Sequence, residues 1–132
     1  MKDRYLFKAK RIDNGEWATG SLITCEDGTC KIATSCLDGK ANEPILVCAY
    51  DVGRDTICQC TGLKDKNGKL IWENDIMVAH LDDAYPEDET YIRILWYESG
   101  FCSKEKGSED MSQIDKFDQE HFEVCGNIFD NL

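Results

Sequence analysis

Nowhere in this chain does an apolar run approach the roughly 20 residues that a membrane-spanning helix requires. Its start, Met1-Lys2-Asp3-Arg4-Tyr5, lacks the apolar stretch of a secretory signal. The expectation is an untargeted protein of the cytosol, without a membrane partner. Catalytic signatures are missing too. There is no GxSxG, no P-loop, no HExxH, no HxE paired with CxxC, and no GxGxxG after a strand. Histidine is scarce, with only His80 and His121 available as imidazole ligands. Internal repeats and low-complexity tracts are absent as well, so the 132 residues are read as a single domain, 1–132, long enough to bury roughly two thirds of its unfolded surface.

Cysteine, by contrast, is plentiful: Cys25, Cys30, Cys36, Cys48, Cys58, Cys60, Cys102 and Cys125. None forms a CxxC, so a paired zinc knuckle is not indicated. Cys58 and Cys60 alternate onto one strand face and read as small core hydrophobes. Cys25 and Cys30 flank Asp27-Gly28; a two-residue turn there would set them opposite one another at disulfide distance, against which a reducing compartment argues. Cys125 lies four residues after His121, in an apparent last strand where it is expected to face the core and not to act as a nucleophile. Trp17, Trp72 and Trp96 with Tyr50, Tyr85 and Tyr97 are read as core or barrel-end residues before they are read as a pocket. No metal, cofactor or catalytic residue is assigned, and the protein is expected not to be an enzyme.

Turn signals dominate the first half. Asn14-Gly15, Asp27-Gly28, Asp38-Gly39 and Asn67-Gly68 each separate short runs rich in apolar or β-branched residues, the pattern of a meander. From Phe7 onward the first run alternates, with Phe7 and Ala9 on one face and Lys8 and Lys10 on the other. Further strands are expected near Glu16–Thr24, Thr29–Cys36, Ile45–Tyr50, Thr56–Gly62, Ile76–Leu81, Tyr91–Tyr97, Phe101–Lys104 and Phe122–Phe129. The fold class is all-β, mainly antiparallel: a curled sheet or open barrel of short strands. One short helix is expected over Glu109–Glu120, with Ser108 as N-cap and Met111, Ile114 and Phe117 at three-residue spacing.

The stretch Thr61–Ile76, TGLKDKNGKLIWENDI, reverses twice. Asn67-Gly68 is a two-residue turn signal, and Glu73-Asn74-Asp75 is a second, in which Asn74 suits positive φ. Asp65 and Asn67 suggest a calcium loop, but the sixth and twelfth positions of that loop, which need glycine and a carboxylate, hold Leu70 and Ile76. The wider run Ile57–Val78, ICQCTGLKDKNGKLIWENDIMV, resembles the signature of the YopX family of phage and prophage proteins. Phe7–Gly20, FKAKRIDNGEWATG, is similar to that family's opening strand, and Glu123–Asn131, EVCGNIFDN, to its close. Cys58, Cys60 and Asn74 depart from the usual residues. What the resemblance implies is an all-β fold encoded in mobile elements, with no assigned activity or cofactor.

Charge is uneven. Of the net −11, residues 82–132 supply 14 acids against 4 bases, whereas residues 1–81 carry 12 and 11. The segment 82–89 concentrates Asp82, Asp83, Glu87, Asp88 and Glu89 around Pro86, which makes it a loop. These five acids are the candidate protein-interaction residues. They suit a basic partner, either a host or phage protein or, by analogy with acidic nucleic-acid mimics, the groove of a host enzyme. Direct nucleic-acid binding is disfavoured, since the basic cluster is limited to Lys2, Arg4, Lys8, Lys10 and Arg11. The leading expectation is a non-catalytic binding protein of a phage or prophage, in the bacterial cytoplasm. A small-molecule sequestering module and a self-associating homo-oligomer are the alternatives.

Overall fold

A computed structural model describes residues 5–35, 47–81, 84–85 and 87–130. Those residues are mainly antiparallel β-structure in two sheets with one short α-helix, and neither sheet closes into a barrel. Contacts divide the chain into two compact units, Met1–Gln59 and Cys60–Leu132.

In the first unit, β1 (Phe7–Lys10), β2 (Trp17–Thr24), β3 (Cys30–Ser35) and β4 (Val47–Val52) pair in chain order as an antiparallel meander. The sheet curls, because the end of β4 returns to the end of β1. Arg11 bridges Val52, the Ile12 amide donates to Asp51 O at 3.0 Å, and Gly53 donates to Lys10 O at 2.8 Å. The alternation expected of β1 holds: Ala9 is fully buried with Ala18, Cys30, Ile32 and Val52, and Phe7 packs against them. On the opposite face, the Lys8 and Lys10 ammonium groups lie 4.5 and 4.9 Å from the Trp17 ring centroid. β2 and β3 approach so closely at Gly20 that a Cβ there would stand 2.1 Å from Ala33 O. β5 (Cys58–Lys64) begins in this unit beside β1, with Phe7 opposite Gln59.

The second unit holds the end of β5 with β6 (Leu70–Trp72), and a sheet in the order β10-β9-β8-β7-β11. Its strands are β7 (Asp75–Ala79), β8 (Thr90–Tyr97), β9 (Gly100–Glu105), β10 (Met111–Gln113) and β11 (Glu123–Asn127). Ile71, Met77, Ala79, Ile92, Ile94 and Phe122 form its core.

The turn and helix expectations need correction. Both well-marked hairpin loops are three residues long. Cys25 N–H bonds Thr29 O and Gly28 N–H bonds Cys25 O; Asp65, Lys69 and Gly68 repeat the pattern. Only the glycine of each is left-handed, at φ 88° and 79°, as in a type I turn closed by a bulge. Cys30 therefore pairs with Thr24 and not with Cys25, and both cysteines are thiols. The Asp38-Gly39 turn lies outside the described residues. Of the expected helix over 109–120, only the end is helical: α1 spans Lys116–His121. Gly107, at φ 87°, and Ser108 close a turn, so Met111–Gln113 runs back along β9 as β10. Asp115 is the true cap, because it has Asp118 at N3 and the two side chains complete a capping box.

The motif Thr61–Ile76 builds hubs for the second unit. Gly62, at φ 80°, sits in a bulge between the Cys60–Trp72 and Lys64–Leu70 pairs. The buried Asp65 carboxylate accepts the amides of Asn67, Lys69 and Val124, each at 2.9 Å, and so ties the hairpin to β11. Its oxygens serve backbone N–H groups in the place where a calcium loop would need them for the ion. Asp75, 1% exposed, accepts the Trp72 amide at 2.7 Å and the Asn127 Nδ2 at 2.9 Å. Asn74 takes φ 69°, as its residue type suggests.

Candidate binding cleft

The strands β8, β9 and β10 and the segment leading into α1 enclose a cleft of about 420 Å³ in the second unit. Ile92 and Phe122, both core residues, form its floor. Leu81 and Phe117, 42% and 50% exposed, stand among its lining residues. Ser103 and Ser112 bring hydroxyls from paired positions of β9 and β10. Glu105, opposite Ile92 on the neighbouring strand, joins Asp110, Asp115 and Asp118 to give four carboxylates, and no Lys or Arg is among the lining residues.

The capping box sets two of those carboxylates face to face. Asp115 accepts the Asp118 amide at 2.9 Å, and Asp118 accepts the Asp115 amide at 3.3 Å. Partial burial pushes the Asp118 carboxyl above its ordinary value, opposed by the Asp115 amide that it accepts and helped by the Asp115 charge. Nearby lysines turn to other acids: Lys104 pairs with Glu109 at 3.6 Å and Lys116 with Glu120 at 3.8 Å.

Of the five acids named from the sequence, Glu87, Asp88 and Glu89 are exposed, and Glu89 accepts a hydrogen bond from the Tyr91 hydroxyl. Asp82 and Asp83 lie outside the described residues. Leu81 and Thr90, the residues on either side of the acidic segment in sequence, both line the cleft. Sequence reasoning missed Glu105, Asp110, Asp115 and Asp118 as a group, because three of them were placed on or beside the expected helix. The capping signature Asp115-x-x-Asp118 was the available signal.

Other sequence candidates separate. Cys125 is exposed, contrary to the expectation of a core thiol. It alternates with the inward-facing Phe122 and Val124, and a bulge that pairs Val124 with Met77 and Gly126 with Ile76 leaves it as the extra residue. Its thiol donates to Ile76 O, and partial desolvation with neighbouring carboxylates raises its pKa; His121 Nδ1 instead meets Phe117 O at 2.9 Å. The aromatic residues do not converge: Trp72 is buried, while Tyr85, Trp96 and Tyr97 are exposed. Cys58 and Cys60 are fully buried, as their alternation indicates. Among the described residues, no three of His, Cys, Asp or Glu stand close enough to share a metal ion. No helix among them is long and apolar enough to cross a membrane. A second cavity, of about 470 Å³, lies in the first unit beside Tyr50, but its acids are already matched. Asp13 pairs with Arg11 and Asp51 with Lys31, each at 2.6 Å.

Two antiparallel sheets with a capped single-turn helix and a motif spent on buried carboxylate hubs define a small all-β protein. The YopX protein family matches residues 6–132, and the chain belongs to that family. Among solved structures, it is similar to protein EF1440 from Enterococcus faecalis, with a TM-score of 0.58 and 22% identity over 95% of this chain and 93% of that one, a likeness of fold. No curated protein sequence matches it.

Proposed function

We propose that this is a non-catalytic accessory protein of a phage or prophage that acts in the bacterial cytoplasm by binding a host or phage protein through the acidic side of its second unit. The observation that carries the reading is the meeting of two acidic features. Leu81 and Thr90, which flank the acidic segment 82–89 in sequence, line the cleft, and the cleft adds four carboxylates of its own. The second unit holds 17 acids against 7 bases, the first 9 against 8. Like charges gathered on one unit, where they outnumber the bases, speed and orient the approach of a basic partner.

The test is capture from a bacterial lysate on the immobilised protein, with and without nuclease and at low and high salt. The five-fold variant Asp82→Asn, Asp83→Asn, Glu87→Gln, Asp88→Asn, Glu89→Gln is run beside it. A partner that survives nuclease, washes off in salt and is retained poorly by the variant supports the reading; equal retention by the variant removes the acidic segment from it. The volume of the cleft favours a second reading, a module that sequesters a small molecule. That reading predicts a rise in melting temperature with a metabolite, insensitive to salt.

A further inference from the structure

Resting on the binding reading above, we infer that the cleft receives the side chain of one arginine, carried next to an apolar residue on a segment of the partner protein. The argument is complementarity of shape and chemistry in one concavity. Ile92 and Phe122 offer an apolar floor of the kind an aliphatic stem covers, and Glu105, Asp110, Asp115 and Asp118 surround it with carboxylates. A planar guanidinium presents donors in several directions and meets more than one carboxylate at once, which an ammonium does as a point charge only. Ser103 and Ser112 add hydroxyl oxygens that accept from the same cation. Asp118 and Asp115 repel one another across the capping box, and a cation beside them relieves that repulsion. Leu81 and Phe117, both well exposed, supply apolar contact for the neighbouring residue of the segment. Carboxylates lining one cleft with an apolar floor suit a side chain, whereas imitation of a phosphate backbone needs them in an extended row.

The test uses the whole protein, labelled with nitrogen-15, and follows its amides on addition of acetyl-Leu-Arg-Leu-amide. The same peptide with citrulline, the neutral isostere of arginine, and free agmatine are titrated in parallel. Saturable shifts grouped at Thr90, Ser103, Ser112 and Asp118 are expected, with the citrulline peptide weaker by about tenfold or more. Glu105→Gln with Asp110→Asn weakens the arginine peptide by about fivefold or more, because both acids lie outside the capping box. Equal binding of the citrulline peptide, or no saturable shift at millimolar peptide, overturns the inference. Agmatine binding as tightly as the peptide overturns the partner segment in favour of a free amine. If the double variant does not fold, the comparison of arginine with citrulline on the unaltered protein still decides. Peptide failure alongside successful salt-sensitive capture refutes this inference and leaves the binding reading standing; loss of capture in the five-fold variant does not bear on the cleft.

Discussion

At the residue scale, the chain spends its most recognisable carboxylates on folding. Asp65 and Asp75 read from the sequence as turn residues, and Asp65 also as a poor calcium ligand. Their burial was not legible because the groups that satisfy them, Val124 and Asn127, lie 59 and 52 positions away. Asp75 bridges the turn after β6 to the end of β11, so its removal takes a buried acceptor from two donors at once. Asp75→Ala should destabilise the protein by about 2–4 kcal/mol, since two buried hydrogen bonds are lost at about 1–2 kcal/mol each. Urea unfolding of Asp75→Ala, Asn127→Ala and the double variant checks it. Single losses that simply add would show that the two side chains do not act as a pair. Cys125 illustrates a different limit: membership of the last strand suggested a core thiol, whereas alternation from Phe122 and Val124 sets it on the outer face, where the bulge leaves it as the extra residue.

At the element scale, strand positions were largely legible and the connections less so. Hydrophobic alternation and glycine turns located most strands, and Asn74 was assigned its positive φ from residue type alone. What local pattern did not separate was a helix from a strand-turn-helix over 109–120, where Met111, Ile114 and Phe117 happen to fall at helical spacing. Glycine roles differ in a way that only tertiary contact reveals. Gly68 is needed for its left-handed backbone, with open space where a Cβ would stand; Gly20 is needed for room, with Ala33 O at 2.1 Å. Gly68→Ala should therefore cost about 1 kcal/mol, the usual penalty for a side chain in that conformation. Gly20→Ala must force β2 and β3 apart and should cost more, about 2–3 kcal/mol, because rigid backbone is the obstacle. Thermal melts of the two variants decide it: equal losses would mean that the β2–β3 ladder yields easily.

At the scale of the whole molecule, charge was legible as a quantity and not as a place. The sequence put the excess acid in the last third; the structure lines a cleft with part of it, together with Leu81 and Thr90. The net charge of −11 makes one further consequence testable, because salt acts on folding and on binding with opposite signs. Within the second unit, 17 acids against 7 bases repel, and screening weakens that repulsion once the Debye length falls to about 8 Å at physiological ionic strength. Raising sodium chloride from low to physiological concentration should raise the melting temperature by a few degrees, on the order of 1 kcal/mol for a chain of this size. The same change should loosen a partner held by charge. A protein whose melting temperature falls with added salt would have its acids engaged in attractive pairs, and the acidic surface would then be a folded-state network with little charge left to offer a partner.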